Sequence, residues 1–414
     1  MPNHHTARRP GLLLAALALA LPLALAATGA DAAKKSKEPK AAKPAAAALA
    51  VPPELPAETL GGATLAGATS ERIYVADVAI AHIADGRLRV FDARAGKLIG
   101  MINMGFAGNF ALSSKADEIY IATTYHSRGG RGERVDLLEV WDAQTLGFKY
   151  EVLIPTKRAQ TLNYRGMVRT TANGRFVLVQ NATPATSITV VDLQQRKVAG
   201  EIPTPGCWGT LPAASHPTRF AMLCGDGKVA TVTLDESGGV ADRQVSEKVF
   251  DADVDPWFHT AEQIGDRYFF VSFKGTIAEV DVSGASASLK GSKTIVGATE
   301  AKQGWRPGGY QAFTVHPSGQ WAVVSMHDKG REGSHKSPAK QLWTIELASG
   351  KRIATAPGLN TASLTFSHSG TRLQALDGVS GALRVWDWAE GGKLKLVSTV
   401  KPAGEAALQL ESHD

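Results

Sequence analysis

Short apolar runs separated by turn residues make up most of the chain after residue 60. Residues 72–76, 118–122, 175–179 and 267–271 are typical, and all are rich in β-branched or aromatic side chains. Runs of this length, bounded by Gly, Pro, Asn or Asp, predict strands, and the body contains no long stretch of helical periodicity. The pattern therefore predicts an all-β fold of short antiparallel strands.

One of these runs recurs along the chain as a repeat. Its clearest copies are LRVFD at 88–92, LEVWD at 138–142 and ITVVD at 188–192, whose final aspartates are 50 residues apart. Weaker copies occupy 229–233, 277–281, 342–346 and 383–387. This periodicity is typical of solenoids and propellers, and seven radial sheets cover one another where a single sheet could not bury both faces. We expect a seven-bladed β-propeller of four-stranded antiparallel blades (YVTN/WD-like) in one domain, residues 59–414.

The repeats also predict turns and an insertion. The acid that ends a repeat can accept hydrogen bonds from backbone N–H groups of the next turn, so we interpret these acids as turn formers. The interval from the fifth to the sixth copy is 65 residues, and residues 290–312 and 326–340 look inserted. Insertions of this kind occur in loops that bind partners.

The N-terminal residues have the layout of an export signal. Arg8 and Arg9 precede an apolar run at 12–25 that small residues follow, which predicts a secretory signal over residues 1–26. A run of about 14 residues is shorter than the roughly 20 that span a bilayer, so we expect no membrane partner. Residues 27–58 are rich in Ala, Lys and Pro, which predicts a flexible tail.

The distribution of charge argues against a nucleic-acid partner. The formal net charge is +6, but +5 of it lies before residue 44. The body is close to neutral, so it lacks the basic surface that phosphate binding requires.

Two cysteines, Cys207 and Cys224, are the whole cysteine content. An even pair in an exported protein predicts a structural disulfide. Closing so short a loop contributes about 3 kcal/mol in the chain-entropy account. A catalytic or metal-binding role would need a CxxC motif or nearby histidines, and neither forms a cluster here.

Motifs of catalysis are missing from the sequence. There is no GxSxG, HExxH, P-loop or CxxCH string, and the eleven histidines are scattered. A histidine cage assembled at the propeller axis from distant blades stays an open alternative. We interpret Asp251, Asp253 and Asp255 as an acidic turn and not as a calcium loop. Trp386 and Trp388 share one strand face and are interpreted as core. We therefore predict no catalytic residue and no metal site in this chain.

Several longer strings go beyond a generic propeller. They are GMI (100–102) with GF (105–106), TTYH (123–126) with RGERVD (131–136), QNATPATS (180–187), GCW (206–208) with CGDG (224–227), WRPGGY (305–310) and GSHK (333–336). With these strings the chain strongly resembles the large subunit of tryptophan tryptophylquinone-dependent amine dehydrogenases. The likeness is closer to the aromatic amine branch, chiefly through residues 125–126 and 181–187.

The resemblance implies a function shared with a partner. In that family the quinone sits in a separate small subunit, and two copies of each subunit form a periplasmic heterotetramer. The enzyme oxidises primary amines to aldehyde and ammonia and passes electrons to a blue-copper protein. This chain is then expected to bind no cofactor itself.

One residue of this chain is implied in the substrate channel. The family's channel phenylalanine falls on Phe106, where an aromatic ring can shape an apolar pocket. The alternative is that Phe106 only packs in the core. Residues 107–109 differ within the family, so the resemblance does not set the preferred amine.

Two other functions remain open at this stage. One is a stand-alone propeller hydrolase, such as a lactonase with a metal on the axis, and the other is a non-enzymatic periplasmic scaffold. The first rests only on analogy of fold, which is a weak argument for function.

Overall fold

A computed structural model describes residues 65, 71–161, 163–400 and 402–413. These residues belong to one unit that spans Gly61–Asp414. The predicted secretory signal (1–26) and flexible tail (27–58) lie outside the described residues. Among the helices that the structure describes, none has the length and apolar character needed to cross a bilayer.

Twenty-nine strands are described, with few helices between them. In the first half they are β1 (Arg72–Asp77), β2 (Gly86–Asp92), β3 (Lys97–Gly105), β4 (Asn109–Leu112), β5 (Glu118–Arg128), β6 (Arg131–Asp142), β7 (Phe148–Ile154), β8 (Val168–Thr170), β9 (Phe176–Asn181), β10 (Ser187–Asp192), β11 (Lys197–Pro203), β12 (Cys207–Pro212), β13 (Arg219–Cys224), β14 (Val229–Leu234) and β15 (Val240–Val245). In the second half they are β16 (Glu262–Ile264), β17 (Arg267–Val271), β18 (Thr276–Asp281), β19 (Ser288–Thr294), β20 (Arg306–Pro307), β21 (Phe313–Val315), β22 (Trp321–His327), β23 (Gln341–Glu346), β24 (Arg352–Pro357), β25 (Thr361–Phe366), β26 (Arg372–Asp377), β27 (Leu383–Ala389), β28 (Lys393–Val400) and β29 (Ala407–Ser412). The helices are α1 (Ala298–Lys302) and three 3₁₀ turns at Ile80–Asp85, Ser334–Lys336 and Glu390–Gly392.

The strands form seven antiparallel sheets, which confirms the predicted seven-bladed propeller. Blade 1 combines β29 with β1–β3, and blades 2 to 5 each take four consecutive strands from β4 to β19. Blade 6 has five strands, because β20 and β21 both pair with β22, and blade 7 contains β25–β28. One strand of each blade faces the axis. Contacts between neighbouring inner strands join β4 to β8, β8 to β12, β16 to β21, β21 to β25 and β25 to β29.

The ring is closed by the last strand of the chain. β29 pairs antiparallel with β1, with Val75 opposite Leu410. The Tyr74 hydroxyl and His413 Nδ1 are 2.7 Å apart at the end of this pairing. The first blade therefore contains both ends of the propeller sequence, with β29 as its inner strand.

A bulge recurs in the outer half of every blade. In each of the seven sheets the register between the third and fourth strands shifts by one residue, as at Val90/Phe91, Val140/Trp141 and Val190/Val191. The same shift follows Thr233, Glu279, Thr344 and Val385. Because a bulge increases local twist, the repeat gives each blade the same twist at its outer edge.

The hydrophobic core is divided among the junctions between blades. Each of seven clusters draws buried residues from two neighbouring blades; one joins Leu376 and Val385 of blade 7 to Ile73 and Val75 of blade 1. Trp386 is buried in such a cluster, and Trp388 packs on His316, Trp321 and Phe366. The interpretation as a core residue is confirmed for Trp386, whereas Trp388 is partly buried at the margin of the cluster.

The acids that end the repeats act in turns as predicted. Asp92 accepts a hydrogen bond from the Ala95 N–H at 2.8 Å, and Asp142 accepts from Thr145 at 2.7 Å. Asp192 and Asp281 make equivalent bonds. Asp387 differs, because it pairs with Arg372 and makes no bond of this kind.

The insertion in blades 5 and 6 is smaller than the sequence suggested. Residues 288–294 form β19, the regular outer strand of blade 5, so the first inserted connection begins after Thr294. Residues 326–327 likewise complete β22, and the second insertion begins after His327. All residues of β19 are exposed and most are polar, a composition that is typical of loops. The sequence analysis therefore assigned part of this strand to the insertion.

Candidate functional site

Strand direction sorts the loops of the propeller onto two faces. The upper face carries the connections from the outer strand of one blade to the inner strand of the next, together with the hairpins between second and third strands. The lower face carries the remaining turns. The upper loops are residues 78–85, 106–108, 129–130, 155–161 with 163–167, 182–186, 204–206, 225–228, 246–261, 272–275, 295–312, 328–340, 358–360, 378–382 and 402–406.

The strings that carry the family resemblance converge on the upper face. The Phe106 loop, the β5–β6 hairpin and the loop after Asn181 all reach it, although they come from three different stretches of sequence. The inserted loops with Trp305–Tyr310 and 333–336 reach the same face. One surface of the molecule therefore holds most of what distinguishes this propeller from others.

Phe106 lies on this surface in a tightly defined turn. Its ring is partly exposed and meets His126 edge to face, with ring centroids 5.6 Å apart. The preceding Gly105 has φ +53, and a Cβ there would lie 2.5 Å from Thr123 Oγ1 and 2.8 Å from the Thr124 carbonyl oxygen. Only glycine fits so close an approach with a left-handed backbone. The GF string therefore fixes where the aromatic ring emerges.

A buried arginine holds the Phe106 turn from below. Arg158 Nη2 donates to the Phe106 carbonyl at 2.8 Å, and Nη1 donates to the Ala107 carbonyl at 2.9 Å. Arg158 Nη2 also donates to Thr124 Oγ1 at 2.9 Å. Burial lowers the pKa of Arg158 to about 10, partly offset by the charge of Asp136. Sequence reasoning missed Arg158, because it belongs to no motif and acts 52 residues away from its partner.

The same network continues to Asp136 in the RGERVD string. Asp136 Oδ1 accepts from Thr124 Oγ1 at 2.7 Å and from Arg134 Nε at 2.8 Å. The adjacent Tyr125 points toward Glu139, and burial together with this carboxylate raises the pKa of the Tyr125 hydroxyl. His126 faces Phe106, and its Nδ1 is buried without a hydrogen-bond partner among the described residues. Phe106 and His126 thus form an aromatic surface, and the hydrogen-bond network of Arg158, Thr124 and Asp136 lies beneath it.

Three aromatic rings from upper loops that lead into inner strands pack together. Tyr164 meets His259 edge to face at 4.3 Å, and its centroid lies 6.3 Å from that of Tyr310. Burial and the nearby Lys336 lower the pKa of His259 to about 4, so its imidazole is neutral at neutral pH. Gly309 has φ +126, and a Cβ would lie 2.4 Å from the Ala362 carbonyl oxygen. Gly309 of the WRPGGY string therefore allows this loop to pack closely against Ala362 in β25, the inner strand of blade 7.

Below these rings, Arg165 joins four blades. Its guanidinium pairs with Glu262 of blade 5 and with Glu411 of blade 1, at 2.6 Å from Nε to Glu411 Oε1. It also donates to Thr365 Oγ1 of blade 7 at 2.8 Å and to the Leu410 carbonyl at 3.0 Å. Burial raises the pKa of Glu262 more than the charge of Arg165 lowers it. A charged cluster therefore joins the inner strands of these blades.

The predicted disulfide is confirmed. Cys207 and Cys224 stand opposite each other in the β12–β13 pairing and are bonded. The bond lies where both strands reach the upper face, and it closes a loop with a sequence separation of 17. It therefore ties an upper loop to the hairpin of the same blade.

Side chains suited to metal binding do not gather in the part of the chain that the structure describes. No group of three or more His, Cys, Asp or Glu residues could hold an ion there. Asp251 instead accepts from the Asp253 N–H at 3.0 Å, and Asp255 accepts from Ser272 Oγ at 2.7 Å. The interpretation of this segment as an acidic turn is confirmed.

These features define a class of protein, namely a seven-bladed propeller with one elaborated face built around an aromatic surface and a disulfide. Residues 69–406 match the family model described as methylamine dehydrogenase heavy chain. The chain belongs to the methylamine dehydrogenase heavy chain family, and it is thus a large subunit of the amine dehydrogenase type.

Curated relatives agree with this assignment at low identity. The methylamine dehydrogenase heavy chain of Methylorubrum extorquens is 28% identical over 344 residues, which cover 82% of this chain and 81% of the relative. That of Paracoccus versutus is 27% identical over 359 residues, 83% of this chain and 80% of the relative. That of Methylophilus methylotrophus is 26% identical over 289 residues, 69% of each.

Solved structures share the fold. A periplasmic gluconolactonase of Pseudomonas aeruginosa superposes with a TM-score of 0.57 at 13% identity, covering 82% of this chain and 98% of that chain. A putative 6-phosphogluconolactonase from Bacteroides fragilis gives a TM-score of 0.57 at 12% identity, covering 83% and 98%. At such identities the likeness establishes the architecture alone.

Proposed function

We propose that this chain is the large subunit of a periplasmic amine dehydrogenase that oxidises primary amines to aldehyde and ammonia. A separate small subunit carries tryptophan tryptophylquinone, which when bound accepts the electrons of the amine. Two copies of each subunit form a heterotetramer, and a blue-copper protein takes the electrons onward. Family membership supports the role of large subunit, and the apolar leader at 12–25 supports export.

The observation that carries this proposal is the convergence of the family's strings on the upper face. A surface that binds a partner and its substrate needs side chains held in fixed positions. Phe106 and His126 meet this requirement, because Gly105, Arg158 and Asp136 fix the turn that presents them. The small subunit docks on this face, with Phe106 at the wall of the substrate channel.

We further propose aromatic amines as the preferred substrates. The Tyr125–His126 and Asn181–Ser187 stretches support this branch of the family. The paired rings of Phe106 and His126 supply an apolar wall, and aromatic pairs contribute about 0.5–1.5 kcal/mol beyond their burial. A flat aromatic side chain would be bound better than a methyl group at such a wall.

The test is amine-dependent dye reduction by the protein co-expressed with its neighbouring genes. Phenethylamine and tyramine are expected to support turnover with a higher kcat/KM than methylamine. A higher kcat/KM with methylamine would contradict the preference for aromatic amines and favour the methylamine branch of the family. Absence of turnover with all three amines, while the small subunit is present, would overturn the proposed activity.

A further inference from the structure

The lower face opens into a cavity on the axis, on the side of Arg165 away from Phe106. This lower funnel has a volume of about 380 Å³ and is lined by the ends of inner strands, including Arg169, Gln263, Gln409 and Glu411. A neighbouring lobe of about 390 Å³ shares Arg169, Gln263 and Glu411. Arg165 lines both lobes. These volumes lie at the lower end of the range for small-molecule sites.

The wall of the lower funnel contains an unsatisfied acceptor. Gln409 is 1% exposed, and its Nε2 donates to Glu411 Oε1 at 3.0 Å. Because a carboxylate only accepts, this bond fixes the orientation of the amide and leaves Gln409 Oε1 as the free end. Gln409 Oε1 is buried and has no hydrogen-bond partner among the described residues. A buried acceptor without a partner costs about 1–3 kcal/mol, which a donor on a ligand would recover.

Arg169 is a cation in the wall of the same funnel, and no carboxylate of a described residue forms an ion pair with it. Arg169 Nη2 donates to Gln263 Oε1 at 2.6 Å, and its side chain also bonds with the Tyr268 hydroxyl. Arg169 takes part in none of the ion pairs between described residues, whereas the neighbouring Arg165 holds two. A half-buried guanidinium with donors facing a cavity suits a carboxylate, which it can bind through two parallel bonds.

The rest of the wall favours a small carbon skeleton. Phe110, Ala111, Val168 and Ala213 also line the funnel. An inorganic anion would leave this apolar surface without contacts, whereas a short aliphatic chain would cover it.

We infer that the lower funnel binds a small organic acid that carries a hydroxyl or ammonium group beside its carboxylate. Arg169 binds the carboxylate, and Gln409 Oε1 accepts the hydrogen bond of the neighbouring donor. The site lies on the face opposite to Phe106 and does not depend on the proposed amine oxidation.

The inference is tested by ligand-observed NMR titration of the purified, exported protein with four compounds. Lactate and alanine carry the carboxylate with a hydroxyl or an ammonium group, propionate lacks the donor, and lactamide lacks the carboxylate charge. Saturable binding is expected for lactate or alanine, with propionate and lactamide each about tenfold weaker, the factor that one hydrogen bond provides. The stronger of lactate and alanine identifies the donor.

Variants assign the two contacts. R169Q removes the proposed carboxylate contact and should abolish the preference for lactate over lactamide. Q409M removes the proposed acceptor and should abolish the preference for lactate over propionate. R219Q alters an arginine of the same face that lies outside the cavity, and it should leave all four affinities unchanged. No saturable binding of lactate or alanine to the wild type, or undiminished binding to R169Q, would overturn the inference. If a variant fails to fold, the comparison of the four compounds on the wild type decides alone.

Discussion

At the scale of single residues, the position of Phe106 depends on groups that do not touch a substrate. Gly105 provides the left-handed turn, and Arg158 binds two successive carbonyl groups of that turn. The resemblance to the family pointed to Phe106, but nothing in the sequence pointed to Arg158. A contact between positions 106 and 158 depends on how blades 2 and 3 meet, which local patterns do not encode.

The channel role of Phe106 is tested by replacing it with alanine in the assembled enzyme. Because Phe106→Ala removes the apolar wall against which an aromatic amine packs, the variant should lower kcat/KM for phenethylamine relative to methylamine by about tenfold, a typical value for a change in an apolar pocket. Steady-state kinetics across an amine series measures this ratio. Phe148→Ala removes an exposed ring on β7 and should leave the ratio unchanged. Equal ratios in both variants would show that Phe106 only packs.

Arg165 makes a separate prediction about stability. Arg165→Met leaves the carboxylates of Glu262 and Glu411 without their cation and should lower the free energy of unfolding by about 3–5 kcal/mol at pH 8. Burial already raises the pKa of Glu262. A carboxyl with a raised folded pKa binds more protons when folded, so stability falls as pH rises above its ordinary range. The loss should therefore be smaller at pH 5.5 than at pH 8.

Urea unfolding at the two pH values measures this difference. Arg165→Met combined with Glu262→Gln should recover part of the loss at pH 8, because one uncompensated charge is gone. Arg267→Met breaks a partly exposed pair with Glu279 and should change stability by less than about 1 kcal/mol. A pH-independent loss in Arg165→Met would contradict the electrostatic account of the axis.

At the scale of elements, the repeat predicted the blades well and the loops poorly. LRVFD and its copies mark the third strand of each blade, because alternating burial and the following turn are local properties. The outer strand β19 escaped prediction, since its side chains are exposed and polar and give no period. The gathering of Phe106, His126 and Tyr310 on one face followed only from the closed ring, which orients loops that are far apart in sequence.

The disulfide is the strongest local restraint among these upper elements. Replacing both cysteines by serine, C207S/C224S, should lower the free energy of unfolding by about 2–4 kcal/mol, because the open chain regains loop entropy. Urea unfolding measures the free energy of unfolding of the variant and of the wild type whose disulfide has been reduced. These two free energies should agree. A variant as stable as the oxidised wild type would show that the bond adds no stability.

At the scale of the whole molecule, the propeller separates two surfaces. The upper face presents Phe106 and the loops that characterise the family, and the lower face presents the funnel with Arg169 and Gln409. Arg165 and the rings of Tyr164, His259 and Tyr310 lie between these two surfaces. This arrangement suits a subunit that supports a partner on one side only.

The most direct measurement of the central claim is purification of the tagged chain from the periplasm of its native host, followed by absorption spectroscopy before and after addition of an amine. The account predicts one small subunit for each chain, and a quinone absorption band that the amine bleaches. A chain that elutes alone, or with a partner whose spectrum an amine does not change, would contradict its assignment as the large subunit of a quinone-dependent amine dehydrogenase.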